Sequence, residues 1–262
     1  GPVAAETVFI VGIGDDGIEG MTAHAVKIVE SAHILLGPDS CSSLLSAGMR
    51  ERLEIVASLE ELVDHIEKSE SQNKIVVLAS GDPLFYGTAR YVCAKLGKER
   101  FEVVPHVSSM QLAFARVKES WEDAYLANLS GLTVIDRVID KIRTVDTAGL
   151  FTSERWPPNA VAEALLEQGV QGLQAYICEN LGSPDERVTQ GSLTEIAKEQ
   201  AGKITIAKLN VDDHGDIAQR FGVMSIPTLM VFNNGEMKKK MVGAKGKSQL
   251  LAEIAEFIPT KS

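Results

Sequence analysis

Cysteine is scarce in this sequence. Its 262 residues include three, Cys41, Cys93 and Cys178, too few and too scattered for a disulfide framework or a zinc site. A reducing cytoplasm is therefore the expected compartment. Long apolar runs are missing too: the longest falls far short of a membrane span, and no basic start followed by an apolar stretch marks export. Positive charge is in deficit, with 26 Lys and Arg against 36 Asp and Glu and a formal charge of −10. That balance argues against a nucleic-acid binder or an anionic-membrane binder, since both partners are polyanions, but it leaves room for a local basic pocket. His24, His33, His65, His106 and His214 show no metal-ligand spacing, so no metal is expected. There is no nucleophile–base triad, no internal repeat and no low-complexity stretch.

What is present is ordinary globular composition, 45% hydrophobic and 24% charged, which excludes wholesale disorder. At roughly 150 residues per domain the length suggests two domains. The opening Gly1-Pro2 reads as the remnant of a cleaved purification tag. Charge divides unevenly. Residues 1–191 carry 16 basic and 28 acidic side chains, a balance of −12, whereas residues 192–262 carry 10 and 8, a balance of +2. The change of sign marks a candidate boundary.

Strands and helices alternate along the first part. Thr7–Val11 is a β-branched run, and Thr22 is placed to cap a helix that buries Ala25, Val26 and Val29. His33–Leu36, Lys74–Ala79 and Phe101–Pro105 read as further strands, Leu59–Lys68 and Met110–Arg116 as helices. The nearly continuous apolar run of Lys74–Ala79 is the kind buried in a parallel sheet. A second unit follows from about Trp121 to Gly191, with strands at Ala124–Leu129, Gly149–Thr152 and Leu173–Cys178 and a helix at Asn159–Glu167. A third begins with a helix at Leu193–Gln200 and a strand at Ile204–Val211. It continues through a helix at Ile217–Phe221, strands at Thr228–Phe232 and Lys238–Val242 around the hairpin signal Asn234-Gly235, and a helix at Ser248–Phe257. The alternation predicts an open α/β sheet.

Three loops follow strands and can meet a ligand. Gly12-Ile13-Gly14-Asp15-Asp16-Gly17 lets the backbone turn sharply or approach a ligand closely, though Asp15, Asp16 and Glu19 disfavour a phosphate cradle. Ser80–Gly87 offers the Asp82 carboxylate, either to a ligand or to its own turn amides. In Pro105–Ser109, either serine could simply cap the next helix. In a doubly wound sheet, loops at carboxyl ends of strands are where ligands bind, so the three together carry more weight than each alone.

Val11–Thr22 (VGIGDDGIEGMT), Ala79–Gly87 (ASGDPLFYG), Val104–Ala113 (VPHVSSMQLA) and Cys178–Val188 (CENLGSPDERV) resemble the tetrapyrrole (corrin/porphyrin) methylase family. The Gly-Asp-Asp-Gly form of the first loop most resembles the cobalamin branch that methylates carbon 5 of precorrin-7 or its cobalt form. The resemblance covers about residues 6–191. It implies an α/β protein of two domains, 1–115 and 116–191, with S-adenosylmethionine folded into the cleft between them. By family position Gly14, Asp15, Ser80, Gly81, Asp82, Phe85, Ser108 and Ser109 surround the cofactor, with Leu129 and Thr152 contributed by the second domain. It also implies direct methyl transfer to a macrocycle carbon, a polycarboxylate tetrapyrrole substrate and a tendency to form homodimers. Neither a nucleic acid nor a membrane is expected as a partner. Arg90, Arg116, Arg155 and Arg187 are the candidate cations for that substrate. The sequence departs from the family where His106 replaces a glycine, where Pro38-Asp39-Ser40-Cys41 lacks a basic pair, and at Ser130-Gly131-Leu132, where a histidine and an arginine are usual.

From about Leu193 onward, in residues 192–262, the chain resembles the second part of thioredoxin. Ser225-Ile226-Pro227-Thr228 matches the loop of that family in which the proline follows a cis bond, so Ile226–Pro227 is expected to be cis. The first strand, first helix, central strand and Cys-x-x-Cys site of that family are missing, so thiol–disulfide exchange is excluded. A half-sheet left alone would expose unpaired edges. Two arrangements stay open: Leu193–Gln200 and Ile204–Val211 supply a closing helix and strand, so that thioredoxin elements complete the second methylase sheet as a hybrid, or the joint is a domain border and the half-thioredoxin is loosely folded or pairs with another chain. Two families cut in mid-fold also suggest a recombined chimera with a structural role and little turnover.

Overall fold

The computed structural model describes residues 6–70, 72–198 and 228–233. Two five-stranded sheets organise them. The first contains β1 (Val8–Ile13), β2 (Ile34–Gly37), β3 (Leu53–Ile55), β4 (Ile75–Ser80) and β5 (Phe101–Val104), in the spatial order β3-β2-β4-β1-β5. Every pairing in it is parallel. The run Ile75–Ala79 is buried throughout, as a central strand covered on both faces must be.

Helices cover the two faces. On one side α1 (Ala23–Ser31) buries Ala25, Ile28 and Val29 with Val11, Ile13, Val76 and Leu78. Its start is fixed by Thr22, whose hydroxyl accepts from the Ala25 amide at 3.1 Å. The short α2 (Ala47–Arg52) adds Met49 to this side. On the other, α3 (Leu59–Lys68) and α4 (Thr88–Leu96) bury Leu62, Ile66, Ala89 and Val92 against Val8, Ile10, Val77 and Ala79. The connection leaving β1 runs towards β2 and that leaving β4 runs towards β5, so neighbouring strands send their crossovers in opposite directions. This is a topological switch point, and in open α/β sheets ligands bind outside the carboxyl ends of the strands at such a point.

The second sheet has the order β6-β7-β10-β8-β9, from β6 (Tyr125–Asn128), β7 (Thr147–Phe151), β8 (Gln174–Glu179), β9 (Arg187–Ser192) and β10 (Thr228–Asn233). β6 and β7 are parallel; β10 runs antiparallel to both of its neighbours, β7 and β8. Thus a strand from the thioredoxin-like region is the centre of this sheet. Of the two arrangements left open by the sequence, the hybrid sheet is the one observed.

Ile204–Val211 lies outside the described residues, and the insertion is made by Thr228–Asn233. Its pattern explains why: Leu229, Met230, Val231 and Phe232 are all buried, and successive side chains serve opposite faces. Leu229 and Val231 pack with Met110, Ala113 and Phe114 of α5 (Ser109–Val117). Met230 and Phe232 join Val138 and Ile139 of α6 (Asp136–Ile142) and Val161 and Leu165 of α7 (Pro158–Glu167). Burying each of these four is worth on the order of 2 kcal/mol.

Residues 193–198 are helical and add Leu193 and Ile196 to the same core. The rest of the expected helix Leu193–Gln200, the Ile226–Pro227 bond, Ile217–Phe221, Asn234-Gly235, Lys238–Val242 and Ser248–Phe257 lie outside the described residues. The expected border at 115/116 falls inside α5, which packs across the second sheet so closely that a Cβ on Gly149 would meet Met110 Sδ at 2.7 Å. Among the described residues no helix is long and apolar enough to cross a membrane.

Candidate functional site

The order β4-β1-β5 brings the three loops noted in the sequence to one edge of the first sheet. They touch. The Gly81 amide donates to the Ile13 carbonyl at 2.8 Å. A Cβ on Gly12 would press on the Gly81 carbonyl oxygen and lie 2.6 Å from His106 Cβ, and one on Gly14 would lie 2.9 Å from His106 Nε2. Glycine at 12 is therefore a requirement of packing between loops as much as of turn geometry. Gly14–Gly17 closes a turn in which the Gly17 amide donates to the Gly14 carbonyl at 3.0 Å, with Gly17 at φ +67°. Asp15 and Asp16 occupy the middle of that turn. The surrounding loops hold the Asp15 carboxyl above its ordinary range, chiefly by desolvation and secondarily through the Asp16 charge.

In the second loop the Asp82 carboxylate does local work. Its Oδ1 accepts from the Leu84 amide at 3.0 Å, and its carbonyl accepts from the Phe85 amide at 3.0 Å. Gly81 (φ +68°), Tyr86 (φ 68°) and Gly87 (φ +100°) are all left-handed. For Tyr86 this backbone costs on the order of 1 kcal/mol or more, and the ring contacts that hold it are evident. Phe85 and Tyr86 lie 4.8 Å apart, and each lies 5.8 Å from Phe151 at the end of β7. Three rings thus join the first-sheet loop to the second sheet.

In the third loop Ser108 caps α5. Its hydroxyl accepts from the Gln111 amide at 3.1 Å while the Gln111 side chain accepts from the Ser108 amide at 2.8 Å, a complete capping box. A Cβ on Gly81 would be 3.7 Å from Ser108 Cα, which places the second and third loops in contact.

Of the site residues expected from the sequence, Gly14, Asp15, Ser80, Gly81, Asp82, Phe85, Ser108 and Ser109 are gathered along this edge. Leu129 is different: the whole residue is buried in the second-sheet core, its amide donating to the Phe151 carbonyl at 2.9 Å and its carbonyl accepting from the Leu132 amide at 3.1 Å. Thr152 follows β7, next to Phe151; its hydroxyl donates to the Thr228 carbonyl at 2.7 Å and its amide donates to the same oxygen at 3.1 Å. Among the cation candidates, Arg90, Arg155 and Arg187 are exposed. Arg116 is committed elsewhere. Its Nε donates to Glu186 Oε2 at 2.9 Å, and Glu186 Oε1 accepts from the Gly182 amide at 3.0 Å. The hydrogen bond from Arg116, followed by that amide, holds the Glu186 carboxyl below its ordinary range. The buried Cys41 and Cys178 thiols are pushed up to about 12, mainly by desolvation, and are unreactive at neutral pH.

Reasoning from the sequence missed His106, Tyr86, Phe151 and Thr228. The replacement of glycine by His106 was the one available signal; the aromatic contacts depend on distant chain segments and left none.

With this geometry in place, the comparisons with known proteins are specific. The profile of the tetrapyrrole (corrin/porphyrin) methylases matches residues 7–197, and that of thioredoxin matches residues 187–256. The chain belongs to the tetrapyrrole methylase family. It is 29% identical over 211 residues to a probable cobalt-precorrin-7 C(5)-methyltransferase of Methanocaldococcus jannaschii, covering 79% of this chain and 99% of the relative. It is 30% identical over 179 residues to the cobalt-precorrin-7 C(5)-methyltransferase of Salmonella typhimurium, covering 68% and 87%. Its last part is 49% identical over 67 residues to the thioredoxin of Mycobacterium bovis, 26% of this chain and 58% of that protein. In fold it is similar to a cobalt precorrin-4 methyltransferase (TM-score 0.62, 18% identity, 87% and 95% coverage). It is also similar to a uroporphyrin-III C-methyltransferase of Thermus thermophilus in complex with S-adenosylhomocysteine (TM-score 0.56, 18% identity, 87% and 92% coverage).

Proposed function

We propose that this chain transfers a methyl group from S-adenosylmethionine to a corrinoid precursor in cobalamin biosynthesis, at carbon 5 of precorrin-7 or its cobalt form. The observation that carries this reading is the meeting of three loops at the switch point of the first sheet. The residues there suit the cofactor. Gly12 and Gly81 bring backbone close together, and the charged side chains of the first two loops, Asp15, Asp16, Glu19 and Asp82, are all acidic. Such a lining complements a sulfonium, an ammonium and ribose hydroxyls; a phosphate-bearing cofactor would be repelled. The names of the relatives from M. jannaschii and S. typhimurium support the choice of substrate.

When bound, the cofactor supplies an electrophilic methyl on sulfur. The protein's contribution is alignment and exclusion of water. The backbone of Gly14, Ser80 and Gly81 with Asp15, Ser108 and Ser109 orients the cofactor, Asp82 Oδ1 holds its own loop in shape, and Phe85, Tyr86 and Phe151 form an apolar wall. Leu129 supports the wall from the core, its amide donating to the Phe151 carbonyl at 2.9 Å, and Thr152 acts through its position beside Phe151. Arg90 and Arg155 are the cations open to substrate carboxylates, because Arg116 is paired with Glu186. A homodimer and a cytoplasmic location go with this reading.

A second reading is favoured by the paired Arg116 and by the unusual Ser130-Gly131-Leu132: a hybrid scaffold that keeps the cofactor site and lacks turnover. Calorimetry with S-adenosylmethionine, followed by transfer of a labelled methyl group to a corrin precursor, separates the two. Binding with transfer supports the enzyme, binding without transfer supports the scaffold, and no binding at high micromolar cofactor contradicts both.

A further inference from the structure

Methylation at a bridging carbon that carries one hydrogen needs somewhere for a proton to go. Four groups at the loop junction could accept it: Asp15, Asp16, Asp82 and His106. The Tyr86 phenol is excluded, because burial, with a smaller contribution from Tyr125, raises it further above its ordinary value and keeps it protonated. Asp82 is tied to the Leu84 amide.

His106 stands out on geometry. Its side chain is only 10% exposed, wedged where Gly12 and Gly14 have no room for a Cβ. Neither ring nitrogen has a hydrogen-bonding partner among the described residues. The nearest charge is the Asp16 carboxylate, with Oδ1 3.8 Å from Nε2. A polar ring so enclosed and so little satisfied is costly unless something uses it.

We propose that His106 is the proton acceptor of the reaction, with Asp16 as its positioning carboxylate. This rests on the methyltransferase reading above. The Asp16 carboxylate, 3.8 Å from Nε2, acts through its charge, stabilising the imidazolium once it forms and leaving Nδ1 to take the proton. In the step, an electron pair of the macrocycle carbon forms the new C–C bond, and the C–S bond breaks with its pair remaining on sulfur. The hydrogen on that carbon then leaves as a proton to His106 Nδ1, and its C–H pair returns to the conjugated ring. Imidazole suits this task because its neutral ring keeps one nitrogen lone pair open to accept a proton.

The full chain carrying His106→Gln is the direct test. Calorimetric affinity for S-adenosylmethionine should stay within about threefold, while kcat falls roughly 10²- to 10⁴-fold and KM for the corrin precursor changes little. Added imidazole should restore part of the rate in His106→Ala, an effect that a packing role alone would not produce. One readout needs no turnover: diethylpyrocarbonate should modify His106, as followed by mass spectrometry, and S-adenosylhomocysteine should protect it. Full activity in His106→Gln, or loss of rate with no rescue by imidazole, overturns the proposal. So does a His106 that stays unmodified while exposed histidines react. Absence of cofactor binding by the unaltered chain instead contradicts the methyltransferase reading, and this proposal falls with it.

Discussion

Thr152 is bound to Thr228 by two hydrogen bonds that converge on one carbonyl oxygen, from the Thr152 hydroxyl at 2.7 Å and from its amide at 3.1 Å. Thr152 belongs to the methylase part and neighbours the aromatic wall; Thr228 belongs to the thioredoxin-like part. The wall of the candidate cleft and the inserted strand are thus one structure. In Thr152→Val the hydroxyl bond is lost and the amide bond kept, so unfolding free energy should fall by about 1 kcal/mol. Affinity for S-adenosylmethionine should weaken a few-fold at most. Urea titration and calorimetry read the two effects.

Phe232 tests the inserted strand from within. It is buried in the core made by α6, α7 and the helical residues 193–198. Phe232→Ala should destabilise the protein by about 3–5 kcal/mol, seen as a lower urea midpoint. A change under 1 kcal/mol would mean that the strand does not belong to this core.

Truncation after Gly191 removes β10, exposing edges of β7 and β8 and the apolar faces that β10 covers. The shortened chain should aggregate or melt far below the complete one. An unchanged melting temperature would contradict the hybrid sheet.

Gly12→Ala places a Cβ against the backbone carbonyl of Gly81 and against His106, neither of which can swing aside cheaply. Forcing the loops apart should cost about 1–3 kcal/mol of stability and reduce cofactor affinity. Gly48→Ala, in α2 where a Cβ meets nothing within 4 Å, is the control: it should leave cofactor affinity unchanged and hold or slightly raise stability.

The Arg116–Glu186 pair predicts a pH dependence. Its folded-state carboxyl is held below the ordinary glutamate range, so the stabilisation is present above the unfolded-state value. It is lost as pH falls through the folded value. Both side chains are partly exposed, which limits the worth of the pair to about 1 kcal/mol or less. Arg116→Ala should lower stability by that amount at pH 7, and the difference from the unaltered protein should vanish under acid conditions. A difference that persists after Glu186 is protonated in the folded protein would assign the loss to packing.

Local signals in the sequence translated well into structure. Thr22 caps its helix as its position suggested, Leu59–Lys68 forms over the same residues, and Ser108 combines with Gln111 in a capping box. The three ligand-competent loops were legible because each follows a strand, and strand order alone brings them together. What escaped was non-local or weakly patterned. Arg187–Ser192 is a half-polar edge strand with little apolar alternation to betray it. Asp136–Ile142 is a short helix whose apolar face becomes meaningful only against the second sheet. The insertion of Thr228–Asn233 between β7 and β8 rests on pairings far apart in sequence, such as the 76 residues between Thr152 and Thr228.

The central structural claim is that a thioredoxin-like strand forms the middle of the second methylase sheet, and amide hydrogen exchange on the complete chain tests it most directly. The amides of Leu229, Met230, Val231 and Phe232 should exchange as slowly as those of Leu150 and Ile177 beside them, through global unfolding alone. Fast exchange at residues 229–232, with β7 and β8 still protected, would contradict it.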